Sequence, residues 1–206
     1  ASRSMSDHLG ANTLQIVNAM KAASMASDKG LSRADVIDLC RMLKEQEFAD
    51  SVYFFTKTSI PELQACRDSV ADRDTVCWSE PYRVNGRMIV SVMTNTRKSG
   101  VLCADISLVW LNKLMDENKP SSQAVLYLIS PEGRFIMASD STLLGEMAPP
   151  ELSTRTNDGF SVNVLTEDDE PYSEQNGKEK PVKKVMTSFG KEVPNTGWYF
   201  RCATPP

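Results

Sequence analysis

The feature that most constrains this chain is a pattern that restarts. After a largely helical first quarter, three segments rich in β-branched and aromatic residues follow: Ser51 to Thr58 (SVYFFTKT), Arg87 to Thr96 (RMIVSVMTNT) and Gly100 to Ser107 (GVLCADIS). Asn85-Gly86 and Lys98-Ser99-Gly100 stand where hairpin turns are needed. The run Leu108 to Asn118 (LVWLNKLMDEN) then has helical spacing and is closed by Asn118 and Pro120. A second β set begins with Gln123 to Ser130, turns at Pro131-Glu132-Gly133 and returns over Arg134 to Ser139. Two last strands are expected at Val182 to Phe189 and Gly197 to Thr204, after an exposed polar loop at 166–180. The prediction is an α+β chain with two antiparallel sheets in series.

Two helices feed the first set. From Asp7 to about Ser27, Leu14, Val17, Met20 and Met25 recur at helical intervals past a single breaker, Gly10, and Gly30 ends the run. A second helix starts at Ser32, where SRAD is a capping-box-like opening, and places Val36, Leu39, Cys40 and Leu43 on one face. With 206 residues, 41% of them apolar, the chain can fill such a core.

Charge and motifs narrow the function classes. A net charge of −4 with scattered Lys and Arg offers no basic stripe, which argues against nucleic acid as a partner. No apolar run approaches the roughly 18 residues that span a bilayer, and no leader opens the chain, so any anchor is expected outside it. His8 is the single histidine, so no Cys-His or Ser-His pair can use another as base. There is no GxGxxG, Walker, HExxH or GxSxG sequence, and no enzyme activity and no cofactor are expected. Five cysteines without a CxxC pair speak against structural zinc. The acidic run Glu167 to Glu170 lacks the spaced ligands and glycine of an EF-hand and reads as a solvated loop, so no metal is expected.

Four landmarks in order carry a resemblance: Trp78 to Tyr82 (WSEPY), the strand ending Gly100 to Leu108 (GVLCADISL), the hairpin Leu128 to Ile136 (LISPEGRFI), and Thr196-Gly-Trp198. Together, and behind a long helix, they resemble double Cache (paired PAS-like) sensor domains, especially those in front of histidine kinases and phosphatase-type regulators. The resemblance implies a long N-terminal helix and two PAS-like sheet modules. The expected division is a helical segment at 1–48, a membrane-distal module at 49–118 and a membrane-proximal module at 119–206. It implies transmembrane helices just beyond both ends, an extracytoplasmic (periplasmic or extracellular) location, and a homodimeric receptor of the two-component type.

It also implies a small-molecule ligand, an amino acid or a small organic anion. In amino-acid-binding relatives the strand position of Asp105 carries an aspartate that holds the ligand's ammonium. Alternation puts Val101, Cys103, Asp105 and Ser107 on one face, which leaves Asp105 either a pocket acid or a rim acid bonded to local backbone. Tyr53, Trp78 and Tyr82 complete the expected ligand-binding set, with core packing as the competing reading for Trp78 and the assigned one for Trp110 and Trp198. The chain departs from the family between the first strand and WSEPY, where the tract PELQACRDSVADRDTVC lacks the usual arginine followed by tryptophan and tyrosine. Arg67 and Arg73 are the available replacement cations, and a reduced pocket or no small ligand is the alternative. The residues between Cys66 and Cys77 read as a polar loop that a disulfide would close comfortably in an oxidising compartment. Two other readings stay open: a ligand-free dimerisation or protein-interaction module, and a soluble hydrolase with an unrecognised site.

Overall fold

The computed structural model describes residues 2–71, 75–119, 121–153 and 187–204. The polar loop at 166–180, the acidic run within it and Arg73 lie outside the described residues. Helix α1 (Ser2–Asp28) runs through Gly10 without a break. Its length, about 40 Å at 1.5 Å per residue, lets it span both sheets. Near one end Asp7 pairs with Lys191 at 3.8 Å and Gly10 lies against Pro194; at the other Ser24 donates to the Asn95 carbonyl at 3.0 Å and Asp28 accepts from the Arg97 amide at 2.9 Å. Met5, Leu9, Ile16, Val17, Met20 and Ala23 form its buried stripe.

Gly30, at φ +101°, ends α1, and Ser32 caps α2 (Arg33–Leu39) by accepting from the Asp35 amide at 3.2 Å. The helix breaks at Cys40 and resumes as α3 (Arg41–Glu45). The first sheet contains β1 (Ala49–Phe55), β2 (Val76–Trp78), β3 (Tyr82–Val84), β4 (Arg87–Asn95) and β5 (Val101–Ser107). Its order is β1-β5-β4-β2, all antiparallel, with β3 pairing β4 farther along the same edge as β2. Between β1 and β2 lies α4 (Pro61–Val70), with Pro at its first position and Leu63, Cys66 and Val70 turned inward. This corrects the polar-loop reading for the first part of the tract after Cys66, where 67–70 are helical, while 72–74 lie outside the described residues: every third or fourth residue of PELQACRDSV is apolar enough to bury, and the charged residues between them mask that stripe in a composition count.

Helix α5 (Leu108–Asn118), capped by Ser107, leads into the second sheet, β6 (Val125–Ile129), β7 (Phe135–Ala138), β8 (Thr187–Glu192) and β9 (Tyr199–Thr204), in the order β7-β6-β9-β8. A short α6 (Pro150–Ser153) follows β7. Of the strand expected at 182–189, residues 182–186 lie outside the described residues, and β8 continues it to Glu192. The two sheets share one continuous apolar cluster with α1, α2, α3 and α5. Where the sheets meet, Trp78 and Trp198 pack edge to face with centroids 4.7 Å apart, and Ser130, just after β6, donates to the carboxylate of Glu80 between β2 and β3.

The β4–β5 turn sets the register on which the rest depends. Gly100 has φ +85°, and a Cβ there would sit 2.8 Å from the Phe55 carbonyl oxygen. Gly100→Ala therefore meets both backbone strain and a backbone clash, and a loss of about 2 kcal/mol or more in chemical denaturation is the expected result.

Candidate functional site

The candidate site lies on the sheet face away from α1, under α4. Register explains its composition. Asp105 of β5 sits directly opposite Ser51 of β1 and Ser91 of β4, and the next row on that face is Tyr53, Cys103, Met93 and Cys77. The intervening residues, Leu102, Ala104 and Ile106, point into the large core, so the alternation expected for β5 holds.

The Asp105 carboxylate collects hydroxyl donors. Ser51 donates to Oδ2 at 3.0 Å; Tyr53 and Ser91 donate to Oδ1 at 2.9 and 2.8 Å. The Tyr82 oxygen is 2.6 Å from Ser91 Oγ and 3.4 Å from Asp105 Oδ1. With Ser91 committed to Asp105, the Tyr82 proton goes to Ser91. The Cys103 thiol in turn donates to the Tyr53 oxygen at 3.5 Å. Burial, reinforced by the neighbouring Cys103 and Asp105, pushes the Tyr53 hydroxyl well above its ordinary range, and burial does the same to Tyr82. Both phenols thus remain protonated donors. Asp105 is itself only half-buried, and among the described residues no salt bridge reaches it. Such a carboxylate is faced by neutral hydroxyl donors alone, with no cation of the described residues beside it, which suits it to an incoming cation.

Of the four residues picked from the sequence, three meet here: Asp105, Tyr53 and Tyr82. Trp78 does not. It points to the opposite face of the sheet and packs against Trp198, as alternation within β2 dictates once Cys77 faces α4. Arg67 lines a separate hollow of about 260 Å³ with Thr56, Asn95 and Gly100. Ser51 and Ser91 were missed from the sequence; their parity with Tyr53 and Asp105 was visible, but only the cross-strand register brings them together.

Beside this cluster a cleft of about 690 Å³ opens between the sheets, with Tyr82, Cys77, Glu80, Glu132 and Arg134 in its walls. Glu80 was also missed, because WSEPY reads as a landmark rather than as a junction. Burial holds its carboxyl above the ordinary range, and the nearby Glu132 charge adds to this against the Ser130 hydrogen bond and Arg134. An acid that binds its proton more tightly when folded favours the fold below the ordinary carboxylate range, and that contribution fades as pH rises past the folded value. Glu80→Gln removes this dependence. Urea unfolding at pH 4 and pH 7 is expected to show the variant gaining on the parent protein at the higher pH. Among the described residues, no group of three or more His, Cys, Asp or Glu is placed to hold a metal, and no helix is long and apolar enough to cross a membrane.

No protein-family model matches the chain, and no curated protein does. Solved structures do. The chain is similar to the ligand-binding domain of the Pseudomonas fluorescens chemoreceptor CtaA in complex with L-serine, at 17% identity and TM-score 0.69, over 98% of this chain and 93% of that one. It is also similar to the ligand-binding domain of the Pseudomonas aeruginosa PAO1 amino acid chemoreceptor PctB in complex with L-Arg, at 10% identity and TM-score 0.67, over 99% and 85% of the two chains. For the ligand-binding domain of PctC of the same organism in complex with GABA the values are 14%, 0.63, 98% and 95%. The fold is therefore the double Cache arrangement: a long N-terminal helix followed by two PAS-like antiparallel sheets.

Proposed function

We propose that this chain is the extracytoplasmic ligand-binding domain of a membrane-anchored signal-transduction receptor, and that it senses an amino acid or a related small amine. The observation that carries the reading is the Asp105 carboxylate: central on the α4-roofed face, ringed by hydroxyl donors and free of a salt bridge among the described residues. An ammonium is the group that such a site takes best, because it supplies charge and several donors in a small volume. The chemoreceptor domains of the same fold carry L-serine, L-Arg and GABA, each with an amino group. Tyr53 and Tyr82 would border the ligand, and Trp78 would act through the junction.

In this reading the modules are 49–118, distal to the membrane, and 119–206, proximal to it. The receptor works as a homodimer with a histidine kinase or phosphatase-type output, and the role is binding rather than catalysis. Helix α1 packs on β4 and β2 of the first sheet and meets β8 of the second through Asp7 and Lys191, so closure of the first sheet on a ligand would shift it against the second. A ligand-free interaction module is the second reading, favoured by one observation: each Asp105 oxygen already accepts a hydroxyl. Matched pairs distinguish the two. Thermal shift should rise with amino acids and stay flat with the 2-hydroxy acids of the same side chains. Equal shifts for both members of every pair, or none for either, would remove the ammonium site.

A further inference from the structure

Helix α4 and strand β2 bring two of the five cysteines to one place. Cys66 is on the buried stripe of α4, 4% exposed, and Cys77 is half-buried on the face of β2 that α4 covers. Both line the 690 Å³ cleft between the sheets, and Cys77 also lines a neighbouring cleft of about 740 Å³ that shares Ser69, Trp78 and Pro131. Cys77 is thus open to solvent-borne reagents, while Cys66, lining the same cleft, is the more buried of the two. The other three are enclosed: Cys40 and Cys103 are fully buried and Cys202 is 2% exposed. All five are free thiols in this structure.

We propose that Cys66 and Cys77 form a thiol–disulfide exchange site at the inter-sheet cleft, with Cys77 as the attacking sulfur and Cys66 as the resolving one. The proposal goes beyond ligand sensing and stands whether or not Asp105 holds an amine. The chemistry balances with a low-molecular-weight or protein disulfide as oxidant. The Cys77 thiolate attacks one sulfur of R–S–S–R, forming a mixed disulfide and releasing R–S⁻. Cys66 gives its proton to that thiolate and attacks the Cys77 sulfur, so the second R–S⁻ departs and takes a proton from water. Two protein thiols are oxidised and one external disulfide is reduced to two thiols.

The surroundings divide the roles in the same way. The neighbouring Cys66 thiol, together with Ser69, holds Cys77 below the ordinary thiol range against its burial, whereas the Cys77 beside it and then burial push Cys66 up. Burial, reinforced by the Asp105 charge, holds Cys103 up at about 12 despite its bonds to Tyr53 and Ser91. The first proton leaves the pair easily and the second with difficulty, as for any two groups sharing a proton. Closure would tie α4 to the edge of the sheet and fix the roof over the Asp105 face.

The test is equilibration of the folded chain in graded reduced and oxidised glutathione, followed by acid quench, unfolding, alkylation and mass spectrometry. The expected result is joint loss of Cys66 and Cys77 as alkylation sites, one peptide pair linked between them, and full labelling of Cys40, Cys103 and Cys202. Cys66→Ser should arrest at a glutathione adduct on Cys77, and Cys77→Ser should leave Cys66 unmodified. The oxidised chain should melt about 5–10 °C higher, the effect of closing a short loop in a domain of this size. Both thiols labelling throughout the series, Cys66 reacting ahead of Cys77, or a bridge to Cys103 instead would overturn the proposal.

Discussion

Trp198→Ala is expected to destabilise the protein by about 3–5 kcal/mol, the range for truncating a fully enclosed tryptophan, and to lower Tm by about 10 °C. Trp198 is completely buried, and its ring meets Trp78 at 4.7 Å and 65° where the two sheets join. The loss has two parts: the transfer cost of the removed ring and the cavity it leaves, which neighbours held by both sheets cannot fill by collapsing. Because the apolar cluster is continuous across both sheets, the parent protein should unfold in one cooperative transition by circular dichroism and by tryptophan fluorescence. In the variant the two probes should separate. Trp198→Phe, which keeps an aromatic ring at the junction, should retain most of the stability and the single transition.

The second large effect concerns Asp105. Asp105→Ala removes the acceptor for Ser51, Tyr53 and Ser91 together, leaving buried or half-buried hydroxyls unpaired. A cost of about 2–4 kcal/mol follows, because orphaned donors forfeit their solvation without compensation. Asp105→Asn is the more informative change. Its amide keeps one acceptor and the side-chain volume, so the fold should lose only about 1 kcal/mol. Its charge is gone, so binding of an ammonium should fall by 100-fold or more, on the order of the 2–5 kcal/mol attached to a buried charged contact. A stability loss without a binding loss would make Asp105 a structural acid.

Part of this architecture is legible in the sequence, and part depends on contacts between distant segments. Elements with a local signal were legible: the Ser32 cap, the helix at 108–118, the hairpin around Pro131-Glu132-Gly133, and the alternation that put Asp105 and Cys103 on one face. Helix α4 was not, because its buried stripe of Leu63, Cys66 and Val70 is interrupted by enough charge to resemble a loop. Register was the second hidden quantity. Asp105 was picked through family resemblance and Tyr53 as a candidate ligand contact, yet the row joining Ser51, Asp105 and Ser91 depends on which residue of each strand faces which, and a slip of one residue would reverse every side chain. The junction was the third. Glu80–Ser130 and Trp78–Trp198 are contacts between separately encoded sheets, and no local pattern announces them.

The most direct test of the sensing account is calorimetric titration of the parent protein and Asp105→Asn, side by side, with the amino acid giving the largest thermal shift. The account predicts a saturable single-site isotherm for the parent protein and a binding constant weakened by at least 100-fold in the variant, with both proteins folded by circular dichroism. Equal affinities for the two proteins would contradict it, as would an absence of saturable heat from the parent protein across the whole set of amino acids.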